Sequence, residues 1–172
     1  MDSERIGLAM VMPEPSLKSR ALRLLSGREY SRAELERKLN THELVPGQLA
    51  KALDELQAKG FINEQRVLES VIHRRSSKLG AARIRQELQQ KGLDPQAVCA
   101  AVNALQTSEI ARAREIWRKK FGAISPVAGA PTPASPAERA RQMRFLAARG
   151  FCGDTIRRVV AGTPEDEDLF VD

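Results

Sequence analysis

Apolar residues recur along the chain at the three- and four-residue spacing of an amphipathic helix. In one segment they are Leu49, Leu53 and Leu56, and in another they are Leu35 and Leu39. No window shows sustained alternation of polar residues with β-branched apolar ones, which is the pattern of a half-buried strand. The sequence therefore predicts an all-α fold.

Capping signals mark where these helices begin and end. Ser31–Glu34 and Ser135–Glu138 have the spacing of capping boxes, and Asp94 precedes a proline suited to a first helical turn. A glycine between a cation and an apolar residue, as at Gly60, Gly92 and Gly150, is typical of a helix end. The predicted helices cover residues 17–27, 31–42, 46–59, 64–78, 80–91, 95–106, 108–121, 136–149 and 153–161.

The helices repeat in groups of three. Offsets of 49 and 58 residues align Leu39, Leu88 and Leu146; Leu44, Leu93 and Phe151; Leu49, Val98 and Ile156; and Leu53, Val102 and Val160. Because one three-helix unit of this size has a marginal core, the copies are expected to pack on their neighbours. The predicted fold is three tandem three-helix, helix-turn-helix-like modules in an elongated, curved array.

The modules are predicted at residues 17–62, 63–107 and 108–162. The third module contains an alanine- and proline-rich insertion at 123–135, which is predicted to be a loop. Residues 1–16 are predicted to form a flexible N-terminal segment, and residues 163–172 an acidic C-terminal tail.

The net charge of +6 understates how basic the body of the chain is. Residues 17–162 hold 27 of the 28 arginines and lysines but 14 of the 22 acidic residues, a net charge of +13. Such a body is expected to attract a polyanion or an acidic protein surface. The alternative is that these are the solvated helix faces of an arginine-rich protein.

The candidate partner-binding cations lie in the second and third modules. Those of the second module are Arg74, Arg75, Lys78, Arg83, Arg85 and Lys91. Those of the third module are Arg112, Arg114, Arg118, Lys119, Lys120, Arg139, Arg141, Arg144, Arg149, Arg157 and Arg158. Aromatic residues are not interleaved with these cations, so a base-stacking channel is not expected. Trp117 and Phe121, one helical turn apart, are predicted to pack in the core.

The sequence carries no catalytic pattern. His42 and His73 have no cysteine or carboxylate at metal-ligand spacing and are predicted to be ordinary helix residues. Cys99 is predicted to be a small core residue, and Cys152 to lie at a helix start without a nearby base. No glycine-rich phosphate loop occurs. An enzyme, a cofactor and a metal site are therefore not expected.

No apolar run approaches the length of a membrane span, and no signal peptide is apparent. Two cysteines cannot form a disulfide framework, which is consistent with a reducing compartment. A cytoplasmic protein without a membrane partner is expected.

Several segments in order resemble the signatures of one family. Asn63–Arg66, His73–Arg75 and Gly80–Leu93 are similar to the central signature of the RecX family. Arg141–Phe151, followed by Ile156–Val159, resembles its C-terminal signature. The likeness extends over about residues 17–162 and includes the repeat architecture.

The resemblance implies a cytoplasmic, non-enzymatic regulator of the RecA recombinase, acting in DNA repair and the SOS response. Such proteins bind the RecA filament on single-stranded DNA along its groove, and inhibit its ATPase, strand exchange and coprotease activities. Weak binding of single-stranded and duplex DNA without sequence preference is expected, as is a monomer.

Two alternatives remain open on the sequence. A helix-turn-helix DNA-binding transcription regulator would show sequence preference and commonly a dimer with matched half-sites. A scaffold protein would need no nucleic acid, and its basic faces would simply be solvated.

Overall fold

The computed structural model describes residues 14–122 and 135–162. Within these ranges lie α1 (Leu17–Leu25), α2 (Arg32–Leu39), α3 (Gln48–Ala58), α4 (Glu64–Arg75), α5 (Ala81–Gln90), α6 (Pro95–Gln106), α7 (Glu109–Phe121), α8 (Pro136–Ala148) and α9 (Gly153–Ala161). A short 3₁₀ helix, Asn40–His42, follows α2. These residues contain no strand, which confirms the predicted all-α fold. The predicted N-terminal segment up to residue 13, nearly all of the 123–135 insertion and the predicted tail at 163–172 lie outside the described residues.

The predicted capping boxes form at the starts of α2 and α8. The Ser31 hydroxyl accepts from the backbone N–H of Glu34, whose carboxylate in turn accepts from the backbone N–H of Ser31 at 3.1 Å. Ser135 and Glu138 make the same reciprocal pair. The N–H of Ser135 stabilises the ionised carboxylate, which holds the pKa of Glu138 below its ordinary value. Both helix starts thus satisfy backbone donors that a helix otherwise leaves unpaired.

The chain divides into two compact units between Ile62 and Asn63. The first unit holds α1–α3 around a leucine-rich core whose buried residues include Leu35, Leu39, Leu53 and Leu56. The second unit holds two clusters, one from α4–α6 that includes Val71, Ile84 and Leu88, and one from α7–α9 that includes Leu146, Ile156 and Val159. Three clusters on three consecutive helix triplets are the expected result of tandem modules. The exact module limits stay a prediction.

The repeat register holds at most core positions and fails at one, although Val160 is only partly buried where Leu53 and Val102 are buried. Leu39, Leu88 and Leu146 are all buried, as the alignment requires. In the next aligned set, Leu93 and Phe151 are each 5% exposed, but Leu44 is 90% exposed. The equivalence of Leu44 with the other two residues is therefore wrong.

A missing glycine explains this departure. Gly92 and Gly150 adopt left-handed φ values of 72° and 82°, which turn the chain sharply after α5 and α8. The first copy has Glu43 at this position, so its chain continues through the 3₁₀ helix instead. Glu43 acquires a different role, because its carboxylate accepts from the N–H of Leu49 at 2.9 Å in the first turn of α3.

Two predictions about single side chains have opposite outcomes. Trp117 packs against the third cluster and Phe121 is buried, with the Phe121 and Phe145 rings edge to face at 5.1 Å, so their core placement is confirmed. Cys99 is exposed, so its predicted place in the core is wrong. Val98 and Val102 occupy the buried side of α6, and Cys99 is turned away from it.

The second and third modules meet through backbone groups. Gly80 donates its N–H to the Arg149 carbonyl oxygen at 2.9 Å, and Ala82 donates to the Gly150 carbonyl oxygen at 3.2 Å. A Cβ atom at Gly80 would lie 2.3 Å from the Gly150 oxygen. A glycine is therefore required at position 80 by the close approach of two backbones and not by its own φ of −78°.

A buried carboxylate holds the same joint together. Glu109, in the first turn of α7, is 4% exposed. One of its oxygens accepts from the N–H of Ala81 at 3.1 Å, and the other accepts from the Thr155 hydroxyl at 3.1 Å. One side chain thus joins the starts of α5, α7 and α9, and both of its oxygens have a partner.

Arg112, one turn after Glu109, completes the joint. Its guanidinium donates to the carbonyl oxygens of Ser76, Leu79 and Leu105, each at 3.0 Å. The carbonyls of Ser76 and Leu79 follow the end of α4, and that of Leu105 lies in the last turn of α6. The last carbonyls of a helix have no hydrogen-bond donor within the helix. Burial lowers the pKa of Arg112 from its ordinary value, and the nearby Glu109 carboxylate opposes this effect. Arg112 is therefore a half-buried structural cation.

We predict that Gly80→Ala destabilises the second unit by about 1–3 kcal/mol, the usual cost of forcing an extra carbon into a packed site. Urea unfolding measures the effect. Gly122→Ala is the control, because a Cβ there would meet nothing closer than 3.7 Å. Equal unfolding midpoints for Gly80→Ala and the unsubstituted chain would contradict the close backbone contact.

We predict that Arg112→Gln costs about 1–3 kcal/mol in the free energy of unfolding, because it leaves carbonyl acceptors without their donor. Arg118→Gln, an exposed change on the same helix, should stay within about 0.5 kcal/mol. The comparison uses the same urea titration. If the two variants unfolded alike, the structural role of Arg112 would be refuted.

Candidate functional site

The positive charge is concentrated in the second unit. Residues 14–62 contain nine cations and seven acidic residues, a net charge of +2. The described part of the second unit contains 18 cations and eight acidic residues, a net charge of +10. Every predicted partner-binding residue lies in this second unit, so the two units differ in the surfaces they offer a polyanion.

Two of the predicted site residues do not belong to an open basic surface. Arg112 is engaged by carbonyl oxygens inside the joint. Lys91 is 7% exposed at the C-cap of α5, where a cation is favourable beside the negative end of the helix. Their charge pattern in the sequence resembles that of the exposed cations, but their positions at helix ends give them internal roles.

Other predicted cations are exposed or half-buried but have internal partners. Three make ion pairs on the surface of the unit, namely Arg75 with Glu87, Lys119 with Glu115, and Arg157 with Asp154. Arg149 stacks on the Phe145 ring, with its guanidinium carbon 3.6 Å from the ring centre. Arg114 and Arg158 also interact within the protein. Exposed ion pairs of this kind are worth about 0–1 kcal/mol, so a stronger anion can displace them.

A further group of predicted cations is exposed and makes no ion pair with any residue in the described ranges. Its members are Arg74, Lys78, Arg83, Arg85, Arg118, Lys120, Arg139, Arg141 and Arg144. Such a cation binds an external anion without first losing an ion pair to the described part of the protein. These residues are therefore the strongest candidates for a binding surface.

Five of these cations lie on two adjacent helices, α7 and α8. The Trp117 indole N–H donates to the Gln142 side-chain oxygen at 3.1 Å, and Phe121 packs on Phe145. These contacts hold the C-terminal half of α7 against α8. We refer to the exposed cations of these two helices that make no ion pair within the described ranges as the α7–α8 basic surface. Its members are Arg118, Lys120, Arg139, Arg141 and Arg144.

Helix α8 is unusually open to solvent. Of its thirteen residues, all of which the structure describes, Leu146 alone is buried. Arg141 and Arg144, three residues apart, are neighbours on this helix, and Met143 between them in sequence is 38% exposed. The helix therefore presents most of its circumference to a partner.

The remaining unpaired cations lie around α4 and α5. Arg83 donates to the Ala148 carbonyl oxygen at 3.4 Å and to the Gln86 side chain, which places it beside the end of α8. Arg74 donates to the Ser70 carbonyl oxygen of its own helix. The side chains of Lys78 and Arg85 make no hydrogen bond or ion pair with the described part of the chain. Through Arg83, this group adjoins the α8 end of the joint.

The described residues contain no group of three histidine, cysteine or acidic side chains placed to hold a metal ion. His42 and His73 are exposed, and Cys152 is the N-cap of α9, where its sulfur accepts from the N–H of Thr155 at 3.5 Å. None of the described helices is both long and apolar enough to cross a bilayer.

Sequence reasoning missed Glu109. An acidic residue in the first turn of a helix ordinarily complements the helix dipole at the surface, and the position of Glu109 alone does not distinguish it from such a residue. Its spacing of three residues from Arg112 puts both on one side of α7. That pair was the available hint that α7 carries polar groups into the joint.

Three family models match the chain in order. They are RecX, first three-helix domain, at residues 18–56; RecX, second three-helix domain, at residues 63–102; and RecX, third three-helix domain, at residues 107–160. Together they cover most of the chain and follow the three hydrophobic clusters of the fold.

Similar proteins and structures agree with these models. The regulatory protein RecX of Leptothrix cholodnii is 46% identical over 161 residues, which are 94% of this chain and 98% of that protein. The regulatory protein RecX of Ralstonia nicotianae is 43% identical, over 86% of this chain and 87% of that protein. The crystal structure of RecX from Lactobacillus salivarius shares the fold, with a TM-score of 0.67 at 20% identity over 85% of this chain and 93% of that one. The three domain models and the extent of these identities show that the chain belongs to the RecX family.

Proposed function

We propose that this chain is a cytoplasmic, monomeric, non-enzymatic regulator that binds the RecA filament on single-stranded DNA along its groove. Binding inhibits the RecA ATPase, strand exchange and coprotease activities. Membership of a family of regulatory proteins supports this proposal. The observation that carries it is the α7–α8 basic surface, where five exposed cations make no ion pair with the described residues.

The chemistry of this surface suits a nucleoprotein partner. Arginine binds phosphates and carboxylates alike through two parallel hydrogen bonds, and three of the five cations are arginines of α8. Contacts to DNA phosphates release counterions, and contacts to carboxylates of the protein partner form charge-assisted hydrogen bonds. One surface of this kind can therefore engage both components of a filament.

The joint between the second and third modules helps the surface to bind. Glu109, Arg112 and the Gly80–Gly150 contact fix α5, α7 and α9 relative to one another. Cations on both modules are thus presented in a fixed geometry, so little ordering of the protein is needed on binding.

A helix-turn-helix transcription regulator is the alternative function. Three-helix modules with an exposed basic helix such as α8 are also found in proteins that place one helix in a DNA groove. This alternative predicts strong sequence preference and no effect on RecA. Both properties are measurable with the purified full chain.

We predict that substoichiometric amounts of the full chain inhibit the DNA-dependent ATPase of RecA, and that Arg141→Glu/Arg144→Glu requires about tenfold or more protein for the same inhibition. Each charge-assisted contact is worth about 1.5–3 kcal/mol, and every 1.4 kcal/mol is a factor of ten. Arg23→Glu/Lys38→Glu is the matched control, since these cations are exposed in the first unit.

No inhibition by the unsubstituted chain, with the filament shown to be present, would refute the proposed function. Inhibition of equal strength by the Arg141→Glu/Arg144→Glu variant would refute the placement of the surface on α8.

We predict that DNA binding is weak, salt-sensitive and independent of sequence. If all five cations of the α7–α8 basic surface contact phosphates, log K for single-stranded DNA should fall against log salt with a slope of about −3.5. Arg141→Glu/Arg144→Glu should make the slope shallower. Titrations of random duplex and single-stranded oligonucleotides at several salt concentrations test this. A large preference for one duplex sequence would instead support the transcription regulator.

A further inference from the structure

We propose that residues 163–172 bind the α7–α8 basic surface of the same chain and compete there with the external polyanion. We refer to these residues as the acidic segment. The inference rests on the proposed function in one respect, because the surface that is regulated is the surface that binds the partner. The contact within the chain is a separate claim and is tested separately.

The acidic segment and the surface have complementary charges. The segment contains five acidic residues, Glu165, Asp166, Glu167, Asp168 and Asp172, and no lysine or arginine. The surface contains five exposed cations without an ion-pair partner in the described ranges. Physiological salt screens exposed charges beyond about 8 Å, so this attraction requires close contact rather than action at a distance.

The position of α9 brings the segment to the correct unit. The segment follows Gly162, the left-handed C-cap of α9, with a φ of 70°. Ile156 and Val159 of α9 share a buried cluster with Ala113 and Ile116 of α7. The helix to which the segment is attached therefore packs beside the helix that carries Arg118 and Lys120.

The length of the segment is sufficient. Ten extended residues span at most about 33–36 Å, whereas a thirteen-residue helix such as α7 or α8 is about 20 Å long. A short covalent tether also gives the segment an effective concentration in the millimolar range at the surface. A weak contact is thus enough for substantial occupancy.

The segment also contains apolar residues, which can pack against an exposed apolar side chain of α8. Its acidic run is followed by Leu169, Phe170 and Val171. Met143 lies between Arg141 and Arg144 in the sequence, and its apolar side chain is exposed. An acidic sequence that leads into apolar residues can pair with both chemistries of this helix, whereas a phosphate backbone can pair only with the cations.

Competition would make the surface selective. A ligand that offers few phosphates gains too little to displace the acidic segment. A long, regular array of anions gains many contacts at once and displaces it readily. The segment would thereby suppress binding to short or isolated nucleic acids and leave binding to an extended filament possible.

The first test uses a full-length chain in which Glu165→Gln, Asp166→Asn, Glu167→Gln and Asp168→Asn remove the charges of the acidic run. A fluorescent peptide of residues 163–172 is added in trans, and its anisotropy is followed at 50 and 300 mM salt. We expect saturable millimolar binding at low salt and its loss at high salt. A peptide with the same four substitutions is the control and should not bind.

We refer to the full-length chain with these four substitutions as the charge-neutralised chain. Further substitutions in it locate the contact. Arg141→Gln/Arg144→Gln should weaken peptide binding several-fold. The matched pair Arg23→Gln/Lys38→Gln in the first unit should leave it unchanged. If both pairs of substitutions weakened peptide binding equally, the attraction would be nonspecific and the proposed contact would be overturned.

The second test measures affinity for single-stranded DNA. The charge-neutralised chain should bind about twofold more tightly than the unsubstituted chain at 50 mM salt, because a tethered competitor whose effective concentration and dissociation constant are both millimolar occupies the surface about half of the time. The difference should become small at 300 mM salt. Free peptide, added at millimolar concentration, should reverse the gain.

The two tests separate this proposal from the proposed function. Peptide binding without any DNA or RecA binding would uphold the internal contact and refute the proposed function. RecA inhibition together with no peptide binding, and with no change in DNA affinity on neutralising the segment, would overturn the internal contact and leave the proposed function standing.

Discussion

The geometry of the second unit depends on a contact between the backbone at Gly80 and the backbone at Gly150, which is too close to leave room for a side chain at Gly80. Gly80 lies against the carbonyl of Gly150, and hydrogen bonds from Gly80 and Ala82 cross the gap between the modules. This contact places the start of α5 beside the end of α8, where Glu109 and Arg112 of α7 then meet otherwise unpaired backbone groups. Polar contacts of this kind fix a geometry that two small hydrophobic cores would leave loosely defined, because apolar packing is not directional.

Much of the fold was predictable because local signals and burial agree. Capping boxes, left-handed glycines and apolar spacing each identify the same helices, and such agreement is what makes a sequence specify one structure. The exceptions have local causes. Leu44 follows a position where Glu43 replaces the capping glycine, so the chain takes another route. Cys99 is apolar like its neighbours Val98 and Ala100, and only the packing of Val98 and Val102 decides which side of α6 is buried.

The candidate site was predictable in outline and not in detail. Charge counting finds the basic modules, because charge is a property of composition. It does not distinguish a solvated cation such as Arg141 from Arg112, whose donors are used by carbonyl oxygens distant in sequence. Glu109 escaped notice for the same reason, since its partners on α5 and α9 are 28 and 46 residues away. Long-range polar contacts leave no periodic trace in a sequence.

The shallow burial of α8 has a consequence for how this surface can change through evolution. Leu146 alone is buried in this helix, and Gln142 and Phe145 contact α7, so the exposed side chains of α8 contribute little to the folded state. Exposed substitutions away from special contacts usually shift stability by less than about 0.5 kcal/mol. The charge of its exposed positions can therefore change at little cost in stability, so any restraint on Arg141 and Arg144, which lie in the segment that resembles the family signature, comes from a partner and not from the fold. The glycine contact and Glu109 tolerate no such change, so the molecule combines a joint that folding fixes with a face that folding leaves free.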